Sequence, residues 1–358
     1  MTEALIVLIK VILALTWTML LALLLTWVER KESAVIQDRI GANRASVFGL
    51  RAFGLFQPFA DAIKMIFKED FVPAFSKRVL HTIAPFLSFF FVAVTVVAIP
   101  FGDEISLGAR RISLQVADLN AALLFVLAML SLGIYGILIS GWASNNRYAL
   151  LGSMRGAAQL ISYEVALGLS LVGLVMVFPS LRLSEIVRFQ GGLLFGFLPK
   201  WGIFLQPLGF AAFFLAALAE TKRVPFDLPE GESEIIGFFT EYSGLKWGLF
   251  MMTDFLEVII VSCLATTLFF GGWQVPWLGA GGFHFPWGGA WNLPAWSVTV
   301  FQVLAFNLKV VFFCWLQVLI RWTYPRFRYD QVMSFGWKFL VPLGAVNILA
   351  TGLILALK

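Results

Sequence analysis

The chain has 358 residues, of which 60% are hydrophobic and only 13% charged, with 37 Phe and 13 Trp. A soluble domain carries about 25% charged residues, so this composition excludes an ordinary water-soluble fold and predicts a protein whose solvent is lipid. The net charge of +5 does not signal nucleic acid, because the basic residues sit in loops beside apolar runs, where they set topology.

Crossing the hydrocarbon takes roughly 20 apolar residues. Eight runs meet that length: 5–28, 82–101, 119–141, 156–178, 201–220, 247–271, 299–320 and 338–357. Each must be helical, because in lipid every backbone polar group has to be paired within its own segment. The expected fold is therefore an all-α integral membrane protein of about eight transmembrane helices, forming one polytopic domain over 1–358. The first run reads as a membrane helix and not as a cleaved leader, since Glu29-Arg30-Lys31 follows it directly. Loops 29–81, 142–155, 221–246 and 321–338 carry nine, two, three and four Lys and Arg, against two, three and none in 102–118, 179–200 and 272–298. The positive-inside rule places the first set in the cytoplasm and both termini on the outer, periplasmic side. The outer loop 272–298, rich in Gly, Trp and Pro, reads as an interfacial cap with aromatic anchors.

Two Cys and two His, all isolated, offer no ligand set for zinc, haem or an iron–sulfur cluster. No dinucleotide or phosphate-binding glycine motif is present either. No metal site is expected, and any redox cofactor belongs to a partner.

In the first inner loop Phe53, Phe56, Phe59, Ala60, Ile63 and Phe67 recur at helical spacing, while Gln57, Asp61, Lys64 and Lys68 fall on another face. That pattern predicts an amphipathic helix over 53–68. It either lies on lipid headgroups or walls a cavity at the membrane surface, with Asp61 and Lys64 facing a polar ligand.

The third inner loop reads AETKRVPFDLPEGESE over 219–234, and Glu241 follows. Asp227, Glu230, Glu232, Glu234 and Glu241 crowd five acids together. Crowded carboxylates repel and titrate nearer neutrality, which suits proton uptake. A solvated acidic loop or a docking patch for a basic partner would have the same composition.

Glu164, Asp254 and Glu257 lie inside apolar runs, and Glu220 ends one. A charge at the bilayer centre costs roughly 2.5–3.5 kcal/mol on insertion scales, so such residues face a bundle interior or a watery path. Glu164 is read as part of a proton pathway. Asp254 and Glu257 share a helix face, and pairing with a nearby Arg or Lys would explain them as well. In the last inner loop, Arg321 and Arg328 stand among aromatics, an arrangement that holds planar or anionic groups and that topology alone would also produce.

Together these stretches resemble the H subunit of NADH:quinone oxidoreductase, respiratory complex I, the counterpart of mitochondrial NADH dehydrogenase subunit 1. The matching strings are WVERK (27–31), GLFQPFADAIK (54–64), SGWASNNRYALLGSMRGAAQLISYEVALG (140–168), AETKRVPFDLPEGESE (219–234) and TYPRFRYDQ (323–331). They follow the family's order over nearly the whole chain. The resemblance implies a proton-pumping translocase whose substrate is a quinone, ubiquinone or menaquinone, in a bacterial plasma membrane or the mitochondrial inner membrane. It implies that Glu29, Arg30, Arg39, Asp61, Lys64, Arg223, Asp227, Glu230, Glu232, Arg321 and Arg328 line the quinone chamber. Glu164, Glu220, Glu232, Glu234, Glu241 and Asp254 would begin an acidic proton path. Flavin and iron–sulfur clusters are expected on partners: peripheral subunits at the quinone site, and small membrane subunits leading to antiporter-like ones. Departures are Gly41-Ala42-Asn43 where the family has Gly-Pro-Asn, Asp254-Phe255 where it has Glu and an aromatic, and an enlarged 272–298 loop.

Two rivals stand beside this reading. One is the quinone-independent anchor subunit of a related membrane-bound hydrogenase or dehydrogenase, which a copurifying NADH-oxidising arm would separate. The other is a free-standing proton-coupled transporter, a class that often shows paired repeats; none is visible here.

Overall fold

The computed structural model describes residues 3–107, 110–231, 235, 237–279, 281–284, 286 and 288–357. The first helix, α1 (Glu3–Ile36), has 34 residues, about 50 Å at 1.5 Å per residue. That exceeds the hydrocarbon by several turns, and Glu29 and Arg30 fall in the surplus. The chain then turns through Ala52–Gly54 into α2 (Gln57–Phe67). Gly54, at φ +89, needs to be glycine, since a Cβ there would stand 1.8 Å from the Ala42 carbonyl oxygen. This is the amphipathic helix expected from its spacing.

Next come α3 (Arg78–Thr95), the hairpin β1 (Glu104–Leu107) and β2 (Arg110–Ser113), and α4 (Ala122–Ala143). Helix α5 (Arg147–Val177) starts on Asn146, whose side chain accepts from the Tyr148 backbone N–H, a standard N-terminal cap. A short α6 (Leu183–Phe189) leads to the hairpin β3 (Leu193–Leu194) and β4 (Leu198–Pro199). One turn, α7 (Gly202–Leu205), precedes α8 (Pro207–Glu220), and α9 (Gly244–Phe269) follows. Strands β5 (Leu278–Gly279), β6 (Gly282–His284) and β7 (Ala290–Asn292) form a small antiparallel sheet. The chain ends with α10 (Ala295–Thr323), α11 (Tyr329–Phe335), a π-helical turn at Gly336–Leu340 and α12 (Val341–Ala356).

Among the described residues, seven helices are long and apolar enough to cross a membrane, and the structure is that of a multi-pass membrane protein. The fifth expected span departs from its prediction. Instead of one helix over 201–220, the chain breaks at Gln206 (φ −137, ψ 58) and leaves α8 only 14 residues long. Pro207 has no N–H to continue the preceding turn, and the Gln206 amide donates to Thr351 Oγ1 at 2.7 Å, tying the break to α12. The last span also differs: helix resumes at Tyr329, not at 338, because Tyr163 of α5 donates to the Val332 carbonyl (2.8 Å) and holds α11 against the bundle.

Helix α9 is the core of the bundle. It packs on α1, α3 and α10, while α5 packs on α4, α8 and α12. Phe255, Leu256, Ile259, Ile260, Leu264, Leu268 and Phe269 are all buried. Near its far end Phe210, Phe269, Phe270 and Phe313 meet edge to face, with centroids 4.9 to 5.3 Å apart. There Lys309 Nζ donates to the carbonyls of Phe270 (2.8 Å), Gly272 (3.0 Å) and Gln274 (2.7 Å). It occupies the negative end of the α9 dipole. The hairpins cover this end. The opposite, basic end carries α2, the last turn of α10 with Arg321, and the loops that hold Arg223 and Arg326.

Candidate functional site

At the basic end, α1, α2, the 221–243 loop, α9 and α10 converge on two adjoining cavities. The first, about 500 Å³, takes Arg30 from α1, Asp61, Lys64 and Lys68 from α2, and Tyr242 and Ser243 from the loop. The second, about 240 Å³, takes Glu29, Arg223, Glu230, Asp254, Phe255 and Arg321. Phe239, Thr240, Trp247 and Met251 line both, so the two polar chambers meet at a largely apolar waist.

Ion pairs hold the walls. Arg30 meets Asp61 at 2.6 Å, fastening α2 to α1. The Glu29 carboxylate is shared by Arg321 (2.5 Å) and Arg223 (3.0 Å), which joins α1 to α10 and to the loop. The Arg223 guanidinium also lies 4.0 Å from the centroid of the Phe255 ring, a cation–π contact. Asp227 pairs with Arg326 at 2.6 Å, and its other oxygen is buried without a partner. Burial pushes the Asp227 carboxyl up to about 6, against the pull of Arg326 and Arg321. Glu230 is pushed well above the ordinary carboxylate range by burial and by the nearby Asp254 and Asp227 charges, with Arg321 and Arg223 opposing. Gln159 of α5 fixes this loop by donating to the Ala219 and Phe226 carbonyls, both at 2.7 Å.

Acids continue from the second cavity into the bundle. Lys222 bridges Asp254 (3.3 Å) and Glu257 (2.7 Å). Glu164 and Glu220 face one narrow cavity walled by Leu127, Phe213, Val261 and Leu264. Glu164 accepts a short hydrogen bond from Ser131.

A sequence profile of the NADH dehydrogenase family matches residues 9–352. The chain belongs to the NADH dehydrogenase family. Its relatives include proteins named as the H subunit of NADH-quinone oxidoreductase. The one from Geobacter metallireducens is 47% identical over 98% of this chain and 96% of its own. That from Thermomicrobium roseum is 46% identical over 92% and 90%, and that from Cytophaga hutchinsonii 40% over 94% and 93%.

In this NADH dehydrogenase family member the residues singled out from sequence fall into three groups. Arg30, Asp61 and Lys64 line the first cavity, and Glu29, Arg223, Glu230, Arg321 and Asp254 the second, with Asp227 beside it. Glu164 and Glu220 share the inner cavity. Three lie apart from these cavities. Arg39 is exposed and donates to Gln37 (2.7 Å). Arg328 is exposed and pairs with Asp330 at 3.2 Å. Glu241 accepts from Asn146 (2.6 Å), while its carbonyl meets His81 Nε2 at 3.1 Å. Glu232 and Glu234 lie outside the described residues. Among the described residues, no cluster of His, Cys, Asp and Glu could hold a metal ion. Sequence reasoning passed over Lys222 and Arg326 as site residues and left Glu257 unplaced. The spacing of Asp254 and Glu257 was the signal for Lys222, and Arg326 stood between two arginines that were chosen.

Proposed function

We propose that this chain is the membrane-arm subunit of a proton-pumping NADH:quinone oxidoreductase, building the membrane-side part of the quinone chamber and the start of the acidic path. The observation that carries the reading is the pair of adjoining cavities, whose apolar waist separates two clusters of Arg, Lys, Asp and Glu. A quinone needs an apolar passage for its tail and a few convergent polar groups for its head. Phe239, Trp247 and Met251 suit the first need. Arg223 and Arg321, planar donors already oriented by Glu29, suit the second.

The names of the relatives supply NADH and quinone as the two substrates. Electrons would arrive through flavin and iron–sulfur centres on partner subunits. Two-electron reduction of a quinone consumes two protons; Glu230, which lines the second cavity and is raised well above the ordinary carboxylate range, is placed to deliver one, with Asp227 behind it as an acceptor that exchanges protons near pH 6. Asp254 in the same cavity, and Glu257, Glu220 and Glu164 beyond it, would start the acidic path that leads from the cavity into the bundle. The basic end would face the cytoplasm of a bacterium, with both termini outside.

Glu230→Gln tests this in membranes carrying the assembled complex. NADH:quinone reductase activity should fall at least about tenfold, measured against NADH oxidation by an artificial acceptor as the gauge of assembly. Unchanged quinone-linked activity in the assembled variant would reduce the chain to a structural anchor.

A further inference from the structure

One buried cation stands between the second cavity and the membrane interior, and the quinone reading leaves it unused. Lys222 follows α8 by two residues, at φ +54, a left-handed conformation uncommon for a residue with a Cβ. The turn brings its ammonium group to α9, where Nζ sits 2.7 Å from Glu257 Oε1 and 3.3 Å from Asp254 Oδ1, with the side chain only 5% exposed. Burial alone would pull this ammonium's affinity for its proton down, and the two carboxylates more than reverse that. Lys222 therefore stays charged.

The acids around it are ordered by depth along α9. Asp254 lines the second cavity, and Glu257, one turn deeper, does not. One turn deeper again, Val261 and Leu264 wall the cavity that holds Glu220 and Glu164. Glu257 keeps its Oε2, and Glu220 its Oε2, buried without a hydrogen-bond partner. Glu220 is within electrostatic reach of Glu257, Glu164 and Lys222, and Arg223 reaches Glu257 from the cavity side. Three carboxylates, Asp254, Glu257 and Glu220, lie near one ammonium in a buried site, and like charges crowded there favour sharing a bound proton. Which carboxylate holds that proton depends on which one the ammonium touches.

We propose that Lys222 is the positioning residue that passes the charge state of the cavity to the intramembrane acids. With Asp254 ionised, the ammonium is shared between Asp254 and Glu257. When Asp254 takes a proton from the cavity, Nζ passes wholly to Glu257, favours its ionised form, and displaces the cluster's proton toward Glu220 and Glu164. One proton enters at Asp254 and one leaves deeper in the bundle; Lys222 keeps its own three. The inference rests on the quinone reading for the group that exchanges protons with Asp254.

The test uses the assembled complex in membranes, with Lys222→Met, Lys222→Arg, Glu257→Gln and the Lys222→Met/Glu257→Gln double variant. NADH:quinone reductase activity and protons moved per NADH oxidised are read together, with the artificial-acceptor rate as the measure of assembly. Lys222→Met should lower quinone-linked turnover about tenfold or more. Lys222→Arg, which keeps the charge, should retain most of it. Glu257→Gln should lower protons per NADH at least about twofold, and the double variant should not restore that ratio. A Lys222→Met complex with normal turnover and ratio would overturn the proposal, and so would full restoration in the double variant, the mark of a merely structural pair. If Lys222→Met does not assemble, a normal ratio in Glu257→Gln overturns it alone. Failure of the quinone reading itself shows separately, as normal quinone kinetics in Glu230→Gln.

Discussion

At the level of residues, Glu29 fixes the geometry of the second cavity. Its carboxylate is divided between Arg223 and Arg321, so both guanidinium forks are oriented before any ligand arrives. Asp227 is the residue with a pH signature. A carboxyl raised to about 6 in the fold ionises at the expense of the fold. Its contribution to stability is full below the ordinary Asp range and is lost as pH rises through about 6. At working pH it is therefore an ionised, buried acceptor facing Arg326, and it takes a proton readily. Quinone-linked activity should show an acid limb near pH 6 that disappears in Asp227→Asn, checked by rates from about pH 5 to 8. A limb unmoved by the substitution would assign it to another group. Residues inside long, unusual strings, such as Asp61 in GLFQPFADAIK and Glu230 in PFDLPEGESE, were legible in the sequence. Lys222, Glu257 and Arg326 were less so, because their meaning lies in partners that only the folded chain brings near: α9 for Lys222, and Asp227 for Arg326.

Among the elements, α9 links everything, with its inner turns on both cavities and its outer turns locked by aromatics and Lys309. Elsewhere α3 and α4 also cross closely. A Cβ at Gly136 would come within 2.6 Å of Ser88 Cβ and 2.8 Å of the Ala84 carbonyl. Small residues at such crossings let helix backbones approach where no hydrophobic force drives them together. Gly136→Val should force α3 and α4 apart and lower the amount of assembled complex several-fold, read on native gels; a normal amount would show that the crossing tolerates the shift. The spans with continuous apolar runs were readable because length alone marks them. The fifth was read too long because the Gln206–Thr351 bond that secures its break is tertiary, although Pro207 stood there as a local signal. The last was read too short because Arg326, Arg328 and Asp330 make its start look like loop, while the bond from Tyr163 to Val332 keeps the helix going.

On the scale of the whole molecule, one end of the bundle gathers the two polar cavities and the buried ion pairs beside them, while the other carries the hairpins and exposed pairs such as Arg188 with Asp103 (2.9 Å). That polarity agrees with the excess of Lys and Arg in the loops of the basic end. On the proposed reading, a quinone arriving through the bilayer would enter the two adjoining cavities between α1, α2 and α9. The expected amphipathic helix could equally have lain on headgroups; Asp61 and Lys64 on a cavity wall, with Asp61 tied to Arg30, favour the second alternative. The most direct test of the account is to illuminate the assembled complex with a photoreactive quinone and map the labelled peptides. The account predicts label on the shared waist, in the peptides holding Phe239, Thr240, Trp247 and Met251, and its loss when excess unreactive quinone competes. Label that never reaches these residues, or that excess quinone does not displace, would contradict it.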